Sequence, residues 1–299
     1  MGFDKKKFNI IEDEKYGYKR LDPIPEDSEL ADYYEHQYFK LVRTGQRGSS
    51  MTRQMTEGPE ADRERRWRHA TTYSDICDAI SKHTTGKRIL DVGCGTGEFL
   101  GYAHEHGFDA VGVEPSKEAA QMARSQGLVI HQGVLEDLVS SGVEPFDAVI
   151  FLNVLEHVRN PAEMIKTAKK IIKPRGLICA MVPNDFSEMQ LAAQDHLEKE
   201  PWWVVAPDHI NYFDFKSIRS FMETLGFEIV YQQSDFPIEV FLLMDFDYIG
   251  NQEVGNKCHQ RRVDFEMALP SALRRQAYSA LSGAGIGRSC IVFGKAAEK

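Results

Sequence analysis

The stretch Arg88-Ile89-Leu90-Asp91-Val92-Gly93-Cys94-Gly95-Thr96-Gly97 constrains this chain more than any other. An apolar run ends in three alternating glycines, and a helix-forming segment starts at Glu98. Glycine lets the backbone turn sharply and lets a ligand approach the main chain, so the stretch predicts a buried strand, a tight turn and a helix. The alternation continues beyond it. Strands are expected at 88–92, 109–114, 128–132, 146–152, 176–182, 228–233 and 289–294, with helices near 98–106, 116–126, 161–172 and 215–225, the third of them ended by Pro174 and Gly176. Strands and helices in that order form an α/β fold, a mostly parallel sheet covered on both faces.

Two regions fall outside the alternation. Residues 184–214 follow the fifth strand and contain Trp202, Trp203, Asp208, His209 and Tyr212; residues 236–287 separate the last two strands by about fifty positions, where a hairpin needs only a few. The reading is therefore an N-terminal helical extension, 1–85, and an α/β domain, 86–299, which includes a lid, 184–214, and an insertion, 236–287. Within the extension, residues 1–24 read as charged and turn-rich. A helix opens at Pro25 with Leu30, Tyr33, Tyr34, Tyr38 and Leu41 at helical spacing, and a second, about 60–82, carries Trp67, Ala70, Tyr73, Cys77 and Ile80 as its apolar stripe. These helices are expected to cover the ligand.

The glycines alone do not name that ligand; the acids around them do. The spacing is G-x-G-x-G rather than the G-x-G-x-x-G of dinucleotide sites, and Asp91 stands directly before it. A pyrophosphate at this turn would be repelled by Asp91, whereas a ligand carrying positive charge would be attracted by Asp91 and Glu98. The second strand ends at Glu114, the position from which an acid accepts both ribose hydroxyls of an adenosine-containing cofactor. The segments after the third and fourth strands, Gly133 to Leu138 and Asn153 to Val158, would border the same crevice at the carboxyl ends of the strands.

Through LDVGCGTGEFL, VGVEPS, FDAVIFLNVLEHV, KPRGLICAMVPN and HINYFDFKSIRSFMETLGF, from about Arg88 to Val230, the chain resembles the class I S-adenosylmethionine (SAM)-dependent methyltransferases. Within them it is similar to the small-molecule branch that includes ubiquinone-biosynthesis O-methyltransferases and sugar methyltransferases. The resemblance implies a Rossmann-like seven-stranded sheet of order 3-2-1-4-5-7-6 with the last strand antiparallel. It implies SAM as cofactor and S-adenosylhomocysteine (SAH) as product. Asp91, Gly93, Cys94 and Gly95 would then line the methionine side, Glu114 and Pro115 the ribose, Leu135 and Glu136 the adenine, and Asn153 the floor near the sulfonium. The insertion 236–287 departs from the family's plain pattern, so the acceptor is not carried over.

Methyl transfer from a sulfonium needs in-line approach of the acceptor at roughly 3 Å, so positioning does much of the work. If the acceptor is a hydroxyl, a base within hydrogen-bond reach helps. His209 and His157 are the candidate bases and Asp208 a candidate orienting partner or alternate base, while Trp202, Trp203 and Tyr212 offer flat faces for an acceptor. No metal is expected. The net charge of −9 disfavours nucleic acid, and no apolar run is long enough for a membrane span. The five cysteines form no C-x-x-C pair, which suits a reduced, cytoplasmic protein. The reading is a methyltransferase acting on a hydroxyl of a small molecule, a sugar or a secondary metabolite, with a homodimer compatible with the apolar run Phe241 to Met244. N- or C-methylation, an NAD-dependent oxidoreductase and a non-catalytic SAM-binding protein are the alternatives.

Overall fold

The computed structural model describes residues 7–33 and 58–298. In chain order the elements are β1 (Asn9–Glu12), β2 (Lys19–Asp22), α1 (Asp27–Tyr33), α2 (Pro59–Arg68), a π-helical turn (His69–Tyr73) and α3 (Ser74–His83). There follow β3 (Arg88–Val92), α4 (Glu98–Glu105), β4 (Asp109–Glu114), α5 (Lys117–Ser125), β5 (Val129–Gln132), α6 (Leu135–Ser140), β6 (Phe146–Leu152), α7 (Pro161–Lys169) and β7 (Ile172–Pro183). The chain continues through α8 (Glu188–Leu197), β8 (Asn211–Tyr212), α9 (Phe215–Thr224), β9 (Phe227–Gln233), α10 (Glu239–Leu243), α11 (Gln252–Ala268), α12 (Ser271–Gly283) and β10 (Ser289–Ala296).

The central sheet runs β5-β4-β3-β6-β7-β10-β9, parallel except for β10, which is antiparallel to both neighbours. In the order of the seven strands along the chain this is 3-2-1-4-5-7-6, as the resemblance implied. Strands buried on both faces read as continuous apolar runs. Accordingly Phe146, Ala148, Val149, Ile150 and Phe151 of β6 are all buried, and the core divides into one cluster on each face of the sheet.

Three details differ from the sequence reading. First, the extension expected to be helical opens with a hairpin. β2 pairs with β1 and with β8 of the lid, and Tyr16 and Tyr18 pack against Phe213 and Phe221. The charged character of residues 1–24 hid two strands too short to show alternation. Second, α7 stops at Lys169 and β7 begins at Ile172, paired with Phe146 before the register shifts. Arg175 has a φ of 60° within that irregular start, and a Cβ on Gly176 would lie 3.0 Å from the Asp147 carbonyl oxygen. Pro174 and Gly176 thus mark a bulged strand entry rather than a helix end. Third, the helix expected at 60–82 forms but contains the π-turn. Tyr34, Tyr38 and Leu41 of the first predicted helix lie outside the described residues.

The insertion packs onto its own chain. His259 of α11 meets Glu64 of α2 at 2.7 Å, Trp67 Nε1 donates to Glu266 at 2.9 Å, and Arg63 pairs with Gln260 and Asp264. Arg274 and Arg275 of α12, with Gln233 of β9, all donate to Asp75 of α3. The run Phe241 to Met244 is divided: Phe241 and Leu242 are buried and Met244 is exposed. Among the described residues no helix is long and apolar enough to cross a membrane.

Candidate active site at the carboxyl edge of the sheet

β3 ends at Val92, and Gly93, Gly95 and Gly97 all adopt positive φ, 70°, 55° and 81°. Gly93 N and Cys94 N both donate to Val113 O, which holds the turn against β4. A Cβ on Gly93 would lie 2.9 Å from Val154, whereas one on Gly95 would meet nothing within 4 Å. The turn is therefore packed on its β6 side and open above Gly95. Cys94 turns inward, because a Cβ on Gly112 would come within 2.5 Å of its sulfur.

Glu114 ends β4 with its carboxylate already oriented. Its Oε2 accepts from Gly95 N and its Oε1 from Ser116 N, each at 2.8 Å. Each oxygen retains a second lone pair, so the clamp leaves capacity for two ligand hydroxyls. Asp91 lies beneath, almost fully buried, and burial with the added charge of Glu114 pushes it up to about 8. Two buried carboxylates beside an open glycine suit a cationic adenosine-type ligand and not an anionic one. Glu98 is otherwise engaged: Arg68 donates to it through Nε at 3.0 Å and Nη2 at 2.8 Å, which ties α4 to α2.

The remaining sequence-predicted residues fall on both sides of this crevice. Leu135 is buried in the core at the start of α6, Glu136 and Pro115 are exposed, and Asn153 is exposed with a φ of 56° at the end of β6. Asn tolerates this left-handed conformation better than most residues, and such positions concentrate at functional sites.

Past Asn153 the loop to α7 is stitched to the lid. Glu156 O accepts from Ile210 N at 2.7 Å and Asn211 N at 3.0 Å, and Asn211 Nδ2 donates to Leu155 O and Val158 O. This stitching brings together residues far apart in the chain. The rings of His157 and His209 stand 4.9 Å apart and nearly perpendicular. His157 Nδ1 lies 2.9 Å from Asp208 O and 3.3 Å from Asp208 Oδ1. His157 Nε2 is 3.9 Å from Glu156 Oε1, beyond hydrogen-bond range. One ligand atom each from Glu156, His157 and His209 lies within 4.8 Å of the others, a set of three that could also hold a divalent cation.

Glu156 is the residue the sequence did not single out. It is 1% exposed, and burial pushes it up to about 7. Burial alone would lower His157, but the Asp208 hydrogen bond and the charges of Glu156 and Asp208 raise it to about 9. The surrounding acids thus favour the cationic imidazole, and burial favours the neutral form of the Glu156 carboxyl beside it. No local signal separates Glu156 from an ordinary solvated acid, because its burial is a property of the folded chain.

The aromatic residues divide as well. Trp203 and Tyr212 are buried, and Tyr212 donates its hydroxyl to His209 O, so both fill the packing beneath the lid together with Phe186. Trp202, half-buried and edge-on to Trp203, keeps a face available.

The strand order, the glycine turn with its two acids, and a titratable cluster at the carboxyl ends together define a class I Rossmann-like methyltransferase fold. The chain belongs to the methyltransferase-domain family, which it matches over residues 61–232, more than half its length. It is 34% identical over 130 residues to the ubiquinone biosynthesis O-methyltransferase of Caulobacter sp. (strain K31), covering 42% of this chain and 52% of that one. To the enzyme of the same description from Maricaulis maris (strain MCS10) it is 38% identical over 128 residues, 39% of this chain and 50% of that one. The matched region thus spans about half the length of these curated relatives. Among solved structures the fold resembles magnesium protoporphyrin IX methyltransferase from Synechocystis PCC 6803 with bound SAH. The TM-score is 0.53 at 13% identity, over 91% of this chain and 100% of that one.

Proposed function

We propose that the protein transfers a methyl group from SAM to a hydroxyl of a small molecule. SAM would supply the electrophilic methyl. Asp91 and Glu114 would hold its ammonium and ribose ends, and Gly95 would let it rest against the main chain. The observation that carries the acceptor side is the cluster of Glu156, His157, Asp208 and His209 beside Asn153. A hydroxyl must lose its proton as it is methylated, and a carboxylate raised toward 7 is matched to that task at neutral pH. In this reading Glu156 takes the proton, directly or through His209. The His157 cation, fixed by Asp208, stabilises the developing oxyanion. The partial matches to ubiquinone biosynthesis O-methyltransferases, whose name specifies oxygen, support oxygen over nitrogen or carbon as the acceptor atom.

The test has two arms. Calorimetric titration should show binding of SAM and SAH and none of NAD. Labelled SAM, incubated with a panel of hydroxylated small molecules, should give a product whose methyl carbon resonates in the methoxy range by NMR. Binding of NAD without SAH would overturn the cofactor assignment, and an N-methyl or C-methyl resonance would overturn the acceptor atom. Activity should survive removal of divalent cations by a chelator; loss restored by added metal would assign Glu156, His157 and His209 to a cation instead.

A further inference from the structure

Two buried polar networks lie along the carboxyl edge of the sheet, and they differ in one respect. In the first, Asp235, two residues past β9, accepts from Ser289 N, Ser289 Oγ and Arg262 at 2.7 to 3.0 Å. Glu266 accepts from Arg262, Trp67 and Tyr278 at 2.7 to 3.0 Å. Every carboxylate oxygen there has a donor. This network locks the insertion to the body of the protein.

The second surrounds Arg288, which precedes β10. Its Nη1 donates to Asp185 Oδ1 at 3.1 Å. Beside it Asn184 Oδ1, Asp185 Oδ2, Glu239 Oε2 and Tyr248 Oη are buried with no hydrogen-bond partner among the described residues. Asp185 is 2% exposed and Glu239 1%. Folded proteins pair nearly all such atoms, so four orphans gathered from the end of β7, α10 and the following loop mark a place where a partner is missing. Arg288 keeps 26% of its side chain exposed, so the network reaches the surface there. His157 is likewise part-exposed, at 29% of its side chain. Asp185 is near enough to Glu156 for their charges to interact, so these orphans adjoin the histidine cluster.

We infer that Asn184, Asp185, Glu239, Tyr248 and Arg288 form the acceptor subsite, and that it takes the hydroxyl groups of a polyhydroxylated ring. The inference rests on the methyl-transfer reading. A hydroxyl both donates and accepts, so it satisfies a carboxylate on one side and a guanidinium on the other. An anionic group would be repelled by Asp185 and Glu239, and an ammonium by Arg288. A ring bearing only one or two hydroxyls would leave most of the orphans unpaired.

The test uses the full chain loaded with SAH and saturation-transfer NMR against three kinds of probe: neutral methyl glycosides of several configurations, a matched glucuronide, and catechol. At least one neutral glycoside should be saturated, the glucuronide and catechol much less. Glu239→Gln and Tyr248→Phe, which keep shape, should each weaken the glycoside about tenfold or more while SAH affinity stays within about twofold of the parent. Catechol binding without glycoside binding would overturn the inference. So would variants that bind the glycoside as the parent does, or SAH binding with no glycoside bound at all. Failure of the parent to bind SAH would count against the methyl-transfer reading instead.

Discussion

Asp91 is raised toward 8 by burial and by Glu114, so it carries a proton over much of the neutral range in the ligand-free protein. A carboxylate raised above its unfolded value contributes stability that is fully present below about pH 4 and lost as pH rises toward 8. A ligand ammonium placed beside it favours the charged form. SAH should therefore raise the melting temperature more at about pH 8 than at about pH 6, with proton release on binding measurable by calorimetry in two buffers. Asp91→Asn should flatten that dependence, and an unchanged slope would show that Asp91 does not face the ligand. Glu156 makes a separate prediction. The rate should rise along a limb near pH 7, and Glu156→Gln should remove the limb and lower kcat by roughly 10²- to 10⁴-fold with SAH affinity retained. A variant that loses SAH binding as well would assign Glu156 to holding the loop rather than to proton transfer.

At the scale of elements, the glycine turn and the insertion are held by different physics. Gly97 caps α4 in the left-handed conformation, and a Cβ there would come 2.5 Å from Leu128 Cδ1 and 3.1 Å from Ala123 Cβ. Gly97→Ala combines backbone strain with overpacking and should destabilise by about 2–4 kcal/mol in urea unfolding. The α2–α11 contact depends on charge instead. Glu266 holds Trp67, Arg262 and Tyr278 together, and Glu266→Ala would leave Arg262 buried beside only Asp235. A loss of about 3–5 kcal/mol is expected, with increased protease sensitivity across the insertion. A loss below about 1 kcal/mol would mean that apolar packing alone seats α11.

For the whole molecule, the lid depends on a part of the chain far from it in sequence. β2 supplies the edge on which β8 pairs, and Tyr16 and Tyr18 cover Phe213 and Phe221 beneath it. Removing residues 1–24 should raise hydrogen exchange across 203–213 while leaving the Gly93 to Gly97 turn protected. Equal exchange in both regions would show the hairpin to be dispensable for the lid. The same removal should raise the KM for the acceptor more than the Kd for SAH, because the cofactor turn belongs to the sheet and the histidine cluster to the lid.

The strand and helix alternation and the glycine turn were legible because each is written locally, whereas the sheet order came from the resemblance to a known family. Apolar runs at strand length, three glycines at fixed spacing, and acids at Asp91 and Glu114 need only their neighbours to be understood. β1, β2 and β8 were not legible, since strands of two to four residues show no period and exist only by pairing with one another. The burial of Glu156 and the gathering of Asn184, Asp185, Glu239, Tyr248 and Arg288 belong to the tertiary structure for the same reason. Burial and the absence of a hydrogen-bond partner are properties of how distant segments meet. The sequence by itself determined the α/β class and the glycine turn with its acids; only packing decided which polar groups are shut away from water, and with them the proposed acceptor side.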